Sequence, residues 1–199
     1  MPKNNEIIQY GMTGSGSTFV WQILNHLFKP RVIKTHTYFT KGNSPVIVTY
    51  RDFRSFFTTM IRRDAWKPII ENIDIIYKRH FLPQYKEMTK YQNNKNLKIL
   101  WLRYRDFIKD KDYLFNQFER FFDINIDEEQ RKYLLKEYSM KSNEKRSDAL
   151  GDKNCNKEYL IYKNHVGNGN IFSWKKLPIK IQRYLEQLLD NELLEWGFI

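Results

Sequence analysis

The feature that most constrains the fold is a glycine-rich stretch, GMTGSGST, at residues 11–18. A short apolar run precedes it and predicts a buried strand over residues 6–10, and the apolar positions 19, 20, 23, 24, 27 and 28 after it have the period of a helix that Pro30 ends. Free backbone N–H groups and the helix dipole both favour an anion where such a loop enters a helix. The stretch therefore predicts a phosphate-binding loop; the simpler interpretation is a turn that only caps the helix.

The loop has the spacing of the phosphate-binding pattern G-x-x-x-x-G-K-[ST], with Gly11, Gly16 and Thr18 in place. Ser17 stands where that pattern has its lysine. Gly14 and Gly16 let the backbone approach an oxyanion closely, and Ser17 and Thr18 add hydroxyl donors. The loop is thus suited to a phosphate but lacks the usual cation, so the positive charge must come from another part of the chain.

The rest of the chain alternates between strand and helix patterns. Further buried strands are predicted at residues 31–36, 45–50 and 97–104. Helices are predicted from residue 51, over about 66–91, near 110–122 and 127–138, and over 177–196, whereas the polar residues 141–170 predict a long loop. This alternation predicts an α/β fold, a parallel sheet flanked by helices, in one domain over residues 1–199.

Composition and charge narrow the class of protein. Hydrophobic residues make up 41% and charged residues 29%, which is a globular composition. The net charge of +11 attracts anions, but the basic residues are spread along the chain and form no nucleic-acid-binding motif, so we do not expect nucleic acid as the partner. No signal peptide or membrane span is predicted, and with Cys155 as the single cysteine, expected to be inert, we expect a cytoplasmic protein. No metal site is predicted.

Several motifs, in the same order, resemble those of the sulfotransferases that use 3′-phosphoadenosine-5′-phosphosulfate (PAPS). Residues 15–19, SGSTF, resemble the family's S-G-T-T-W, and Phe19 would lie where the family places an aromatic ring against the adenine. Lys34 and His36 match the family's K-T-H segment at the end of the second strand. Arg51 and Thr59, eight residues apart, match the arginine and serine that hold the 3′-phosphate in the family.

The resemblance extends from residue 6 to residue 198. Tyr104 matches the tyrosine of the family's Tyr-Glu-Asp segment, residues 171–178 and the closing helix resemble the G-x-W-K stretch of bacterial members, and residues 138–145 resemble the stretch that caps the adenine. Loop and resemblance together assign donor-binding roles to Thr13, Gly14, Ser15, Gly16, Ser17, Thr18, Phe19, Arg51, Thr59, Tyr104, Ser139, Met140 and Gly167.

The resemblance implies a P-loop-NTPase-like sulfotransferase fold of a compact bacterial or viral type. It implies transfer of a sulfuryl group from PAPS to a hydroxyl or amine of a small-molecule or carbohydrate acceptor, with PAP (adenosine 3′,5′-bisphosphate) as product. The acceptor proton needs a base whose pKa is near neutrality, and histidine has such a pKa. His36 is therefore the candidate general base.

The chain departs from the family at two places. Gly14 stands where the family has a lysine or arginine directly before S-G, and Lys34, which lies on the same face of its strand as His36, is the candidate replacement. Near residue 165 the family has Arg-Lys-Gly, and this chain has His165, Val166 and Gly167. Lys163 or Lys175 would then have to hold the 3′-phosphate.

Two other functions remain open. A P-loop kinase of a small metabolite would need Mg²⁺, for which Asp52 is the nearby acid, and a protein of the same fold could bind a nucleotide without catalysis. Tyr104 could be a core residue, and packing is the expected role of Trp174 and Trp196. Helical spacing also favours packing over acceptor binding for the aromatic residues of 64–91, although we expect that segment and the loop 141–170 to border the acceptor.

Overall fold

The computed structural model describes residues 6–29, 31–151, 155–162, 166 and 169–199. Its centre is a parallel sheet of four strands, β1 (Ile7–Gly11), β2 (Val32–Thr35), β3 (Val46–Tyr50) and β4 (Ile99–Arg103). The strand order among the described residues is β2-β1-β3-β4, with every neighbouring pair parallel. The predicted α/β fold with a parallel sheet is confirmed.

Helices cover both faces of this sheet. The α-helices are α1 (Ser17–Phe28), α2 (Arg54–Arg63), α3 (Ile70–Ile76), α4 (Leu82–Asn93), α5 (Tyr104–Lys109), α6 (Lys111–Phe122), α7 (Glu128–Glu137), α8 (Met140–Asp148), α9 (Ile179–Leu188) and α10 (Asp190–Glu195). A π-helical turn joins α3 to α4 at Tyr77–Phe81, and a 3₁₀ turn lies at Ser173–Lys176. Among the residues that the structure describes, no helix has both the length and the apolar character needed to cross a membrane.

The strands divide their side chains between two cores, because successive residues of a strand point to opposite faces. Ile8 and Val48 pack with α2, α3, α4 and α9 on one face. Ile7 and Ile47 pack with α1, α5, α6 and α7 on the other. Burial on both faces explains why these strands are almost continuously apolar in sequence.

The prediction of a loop over residues 141–170 was wrong. Residues 140–148 form α8, whose first turn is capped by Ser139, which accepts a hydrogen bond from the Ser142 N–H at 3.1 Å. A short antiparallel hairpin follows, with strands β5 (Cys155–Asn156) and β6 (Ile161–Tyr162). The sequence concealed α8 because its buried positions are polar: Asn143 lies in the interior, where its side chain and that of Gln22 exchange hydrogen bonds of 2.9 and 3.1 Å.

Two other helical predictions differ from the structure in detail. The stretch predicted over 66–91 begins only at Ile70 and contains the π-helical turn. The closing helix predicted over 177–196 is divided at Leu189 into α9 and α10. Both segments still place one apolar side on the core, which is the property that the periodicity of their sequence encodes.

The fold gathers the candidate residues at one edge of the sheet. The glycine-rich loop follows β1, His36 follows β2, Arg51 follows β3 and Tyr104 follows β4. Since the strands are parallel, their carboxyl ends lie together, and ligands of open α/β sheets bind at this edge. Residues far apart in sequence therefore border one site.

Candidate active site

The loop between β1 and α1 is shaped by two glycines in the left-handed region. Gly14 has φ 78° and Gly16 has φ 75°, a conformation that residues with a Cβ rarely adopt. A Cβ at Gly16 would lie 2.8 Å from the Tyr104 ring. Ser15 supports the loop from inside, since its buried hydroxyl donates to Met12 O at 2.7 Å. Ser15, predicted to bind the donor, thus uses its side chain within the loop.

The first turn of α1 offers free N–H groups. The first bond along this turn is from Val20 N–H to Gly16 O, at 3.2 Å, so the N–H groups of Ser17, Thr18 and Phe19 precede the helical ladder. No acceptor for these three groups lies among the described residues. Thr13 differs, because its N–H donates to Gln84 Oε1 at 2.8 Å. The anion-binding part of the loop is therefore its helical end, and Thr13 ties the other end to α4.

Lys34 and His36 approach this loop from the end of β2. Lys34 Nζ donates to Thr18 Oγ1 at 2.7 Å, and burial lowers the pKa of Lys34 to about 8. His36 Nδ1 lies 2.6 Å from Gly11 O. Because a carbonyl oxygen can only accept, Nδ1 carries the hydrogen and Nε2 keeps its lone pair in the neutral ring.

The pKa of His36 is lowered from its ordinary value. The main cause is desolvation by the surrounding protein, although part of the ring is exposed. The hydrogen bond to Gly11 raises the pKa, whereas the cations Lys34 and Arg63 lower it further. His36 is thus neutral at pH 7 and able to accept a proton at Nε2.

Arg51 is a buried cation that connects the loop to the C-terminal part of the chain. Its Nη1 donates to Gly14 O at 2.7 Å and its Nη2 to Asn170 O at 3.1 Å, while its guanidinium lies 4.6 Å from the centroid of the Tyr104 ring. Burial lowers the pKa of Arg51, which the interaction with Tyr104 opposes. Thr59 on α2 lies against Gly14 and donates its hydroxyl to Ser55 O at 3.1 Å.

A cavity of about 670 Å³ extends from the loop toward α7 and α8. The predicted donor-binding residues that line it are Gly14, Gly16, Ser17, Thr18, Phe19, Arg51, Thr59, Tyr104, Ser139 and Met140. Four other predicted residues do not line the cavity: Thr13 and Ser15 belong to the loop, and Lys34 and His36 lie beside it. Gly167 lies outside the described residues. Tyr104 is both buried and part of the wall, so the core and site interpretations both apply to it.

Lys163 and Lys175 are the residues expected to replace the family's Arg-Lys-Gly, and the structure describes only one of them. Lys163 and His165 lie outside the described residues. Lys175 Nζ lies 5.2 Å from the ring centroid of Phe172 and is not part of the cavity wall. Arg62 of α2 does line the cavity, and its Nη1 donates to Val166 O at 3.3 Å.

Sequence reasoning missed two cationic residues of the wall, Arg62 and Lys111. Lys111 begins α6, and its Nζ donates to Phe107 O at 3.0 Å and to Ile108 O at 3.1 Å. Neither residue belongs to a recognisable motif. Only the folded arrangement of α2 and α6 brings them to the cavity, so no signal in the sequence distinguishes them from surface cations.

The aromatic residues expected to pack do so. Phe81 is fully buried, and the hydroxyl of Tyr77 donates to Glu192 Oε1 at 3.3 Å. Trp174 is buried beneath the Arg54 guanidinium, which lies 3.9 Å from its ring centroid. The described wall of the cavity includes no residue of 64–91, and an acceptor surface on that segment stays a prediction.

Solved structures share this fold. No family model matches the sequence, and no curated protein matches it. The crystal structure of mouse sulfotransferase SULT7A1 complexed with PAP matches with a TM-score of 0.72 and 13% identity, covering 95% of this chain and 84% of that one. Retinol dehydratase, in complex with androsterone and inactive cofactor PAP, matches with a TM-score of 0.68 and 14% identity, covering 94% and 80%. The chain therefore has the sulfotransferase fold, as its motifs predicted.

Proposed function

We propose that this protein is a PAPS-dependent sulfotransferase that transfers a sulfuryl group to a hydroxyl or amine. The proposal rests on one observation above all: in this fold, Lys34 and His36 both reach the glycine-rich loop from β2, at Thr18 Oγ1 and Gly11 O. A cation and a neutral base are thus available beside a group of free helical N–H donors. Sulfuryl transfer requires these three elements together.

The described site suits a nucleotide with two phosphate groups. Where the loop borders the cavity, the N–H groups of α1 favour the 5′-phosphosulfate, and the Lys34 ammonium reaches the same loop from beside the cavity, at Thr18 Oγ1. Arg51 and Thr59 line the same cavity, and the resemblance assigns both of them to the 3′-phosphate. Phe19 presents an aromatic face for the base. The volume of about 670 Å³ is in the usual range for a ligand of this size.

Each residue has a distinct chemical role in this proposal. The donor supplies an activated sulfuryl group, which the acceptor oxygen or nitrogen takes as the bisphosphate leaves. His36 Nε2 accepts the acceptor's proton, and Gly11 O holds the ring in the tautomer that leaves Nε2 free. Lys34 and the N–H groups of Ser17 and Thr18 stabilise the negative charge that grows on the leaving phosphate.

The position of Asp52 disfavours the kinase alternative. Its carboxylate is held by Arg54, with Oδ2 2.7 Å from Nη2 and Oδ1 3.0 Å from Nε. A carboxylate paired in this way is a poor ligand for Mg²⁺, because metal binding would have to replace its hydrogen bonds from the nearly buried Arg54. The loop also keeps Ser17 at the lysine position of the kinase pattern.

A binding and turnover experiment tests the proposal. We expect adenosine 3′,5′-bisphosphate to raise the unfolding temperature more than ATP or ADP does, and PAPS to be consumed with a panel of phenols, amines and carbohydrates. Lys34→Ala should abolish turnover while the bisphosphate still binds, whereas Lys29→Ala, at the exposed end of α1, should preserve both. Preference for ATP with Mg²⁺ would support the kinase, and bisphosphate binding without turnover of any acceptor would support a non-catalytic protein.

A further inference from the structure

One part of the cavity, bordered by the first turn of α1 and by α5 and α7, is mostly apolar. Ile108, Leu135 and Ile161 contribute to its wall, and Phe19 lies there with its ring nearly parallel to that of Phe107, 6.5 Å between centroids. Such a surface favours stacking of a flat base, but it does not distinguish one base from another, because every base has an aromatic face. Discrimination requires a polar group with hydrogen-bonding capacity to spare.

Most polar side chains in this part of the cavity are already occupied. The Ser139 hydroxyl caps α8 and contacts Ser142 Oγ at 2.8 Å. Asn143 uses both its amide hydrogens and its oxygen on protein partners, among them Gln22 and the Tyr138 carbonyl. The Tyr138 hydroxyl lies 3.3 Å from His26 Nδ1. These contacts hold α1, α7 and α8 together, and the hydrogens of the Ser139 hydroxyl and the Asn143 amide could be given to a ligand only by breaking them.

Lys111 differs from these groups, because it retains a donor hydrogen. Its ammonium has three hydrogens, of which two bond to Phe107 O at 3.0 Å and Ile108 O at 3.1 Å. These two bonds fix Nζ 5.2 Å from the ring centroid of Phe19. One N–H therefore remains for a ligand in the cavity, whose wall includes both Lys111 and Phe19.

We propose that Lys111 recognises the base of the donor by donating this third hydrogen to a ring nitrogen of the purine that stacks on Phe19. The proposal rests on the function proposed above. An ammonium only donates, so it pairs with an unprotonated ring nitrogen and not with the exocyclic amino group of adenine. Lys111 is thus a specificity-determining residue that acts through binding of the nucleotide and takes no part in the transfer itself.

Isothermal titration of adenosine 3′,5′-bisphosphate and its 1-deaza, 3-deaza and 7-deaza analogues tests the proposal. Each analogue replaces one ring nitrogen by C–H. We expect Lys111→Met to lower the affinity for the parent compound about 10- to 100-fold, the range of a hydrogen bond to a charged group. Lys109→Met is the matched control, because Lys109 ends α5 with its side chain exposed and outside the cavity wall.

Comparing wild type with Lys111→Met, each with the parent bisphosphate and its deaza analogues, separates recognition of the base from a structural role of Lys111. One of the three deaza analogues should bind wild type more weakly than the parent bisphosphate does, by a factor similar to that caused by Lys111→Met. That analogue should bind wild type and Lys111→Met with equal affinity. A variant that was merely misfolded would bind all four compounds more weakly and would unfold at a lower temperature. Equal losses for every analogue, or an Lys111→Met variant with wild-type affinity, would overturn the proposal.

The same titrations distinguish this proposal from the proposed function. Equal affinity of wild type for adenosine 5′-monophosphate and the 3′,5′-bisphosphate would contradict the sulfotransferase proposal, and the Lys111 comparison could still be made with the monophosphate series. If no adenine nucleotide binds wild type, both proposals fail. Discrimination lost in Lys111→Met with the 3′-phosphate preference intact supports both.

Discussion

Replacing Gly14 by alanine should destabilise the protein for two separable reasons. The φ of 78° places residue 14 in the left-handed region, which costs a residue with a Cβ about 1–2 kcal/mol. The new Cβ would also lie 2.6 Å from Thr59 Oγ1 and 3.1 Å from its Cγ2. Thr59 is β-branched and lies within α2, where its side-chain torsion is stiff, so this overlap adds about 1–3 kcal/mol.

Gly42 provides the control for backbone strain. It has φ 54°, and nothing lies within 4 Å of where its Cβ would be. Gly42→Ala should therefore lose only about 1–2 kcal/mol of unfolding free energy, and Gly14→Ala about 2–5 kcal/mol. Urea unfolding measures both, since a change in midpoint at constant slope is a change in stability. Thr59→Ala in the Gly14→Ala background should recover most of the difference.

Two results would refute this reasoning. Equal losses of unfolding free energy in Gly14→Ala and Gly42→Ala would mean that Thr59 does not restrict residue 14. The same conclusion would follow if Thr59→Ala recovered no stability in the Gly14→Ala background. If the reasoning holds, a lysine at residue 14 meets the same obstacle. The cation expected there from the family pattern would then destabilise the loop, whereas the proposed cation, Lys34, reaches the loop without a side chain at residue 14.

The charged residues of the site predict two further outcomes. The pH profile of kcat should fall on the acid side where His36, whose pKa is lowered by burial, becomes protonated. It should fall on the alkaline side above about 8, because the pKa of Lys34 is about 8 before the anionic donor binds beside it. Lys34→Arg should move the alkaline limb to higher pH, because a guanidinium stays charged. Lys111→Met should leave that limb in place. If the limb did not move in Lys34→Arg, a group other than Lys34 would be responsible for it. Arg51→Gln should weaken binding of adenosine 3′,5′-bisphosphate about 10- to 100-fold by titration calorimetry and change binding of the 5′-monophosphate little, and equal losses would contradict its contact with the 3′-phosphate.

Local patterns predicted the sheet and the donor loop well. The strands were visible because burial on both faces demands continuous apolar runs, and Gly14 and Gly16 revealed the loop because left-handed backbone so strongly favours glycine. The helix α8 was missed because its buried face is polar: Asn143 is satisfied by Gln22, which lies 121 residues away in the chain. Pairings of this kind are determined by tertiary structure and leave no periodic apolar signal.

The position of Lys111 in the cavity wall was hidden for a related reason. Its two anchoring carbonyls are three and four residues away, but the aromatic ring that it faces, that of Phe19, belongs to another helix. A lysine at the start of α6 is an ordinary surface residue by sequence. The packing of α1 against α5 and α6 is what turns it toward the cavity.

The contacts of Gln84 limit how parts of this fold can be exchanged with those of another protein. Its backbone carbonyl accepts a hydrogen bond from the Tyr10 hydroxyl at 2.7 Å, and its side-chain oxygen accepts from the N–H and the hydroxyl of Thr13 at 2.8 and 3.1 Å. One residue of α4 thus fastens the end of β1 and the start of the glycine-rich loop. A chimaera that imports a new α4 must keep this glutamine, because without it the loop loses its contacts with α4.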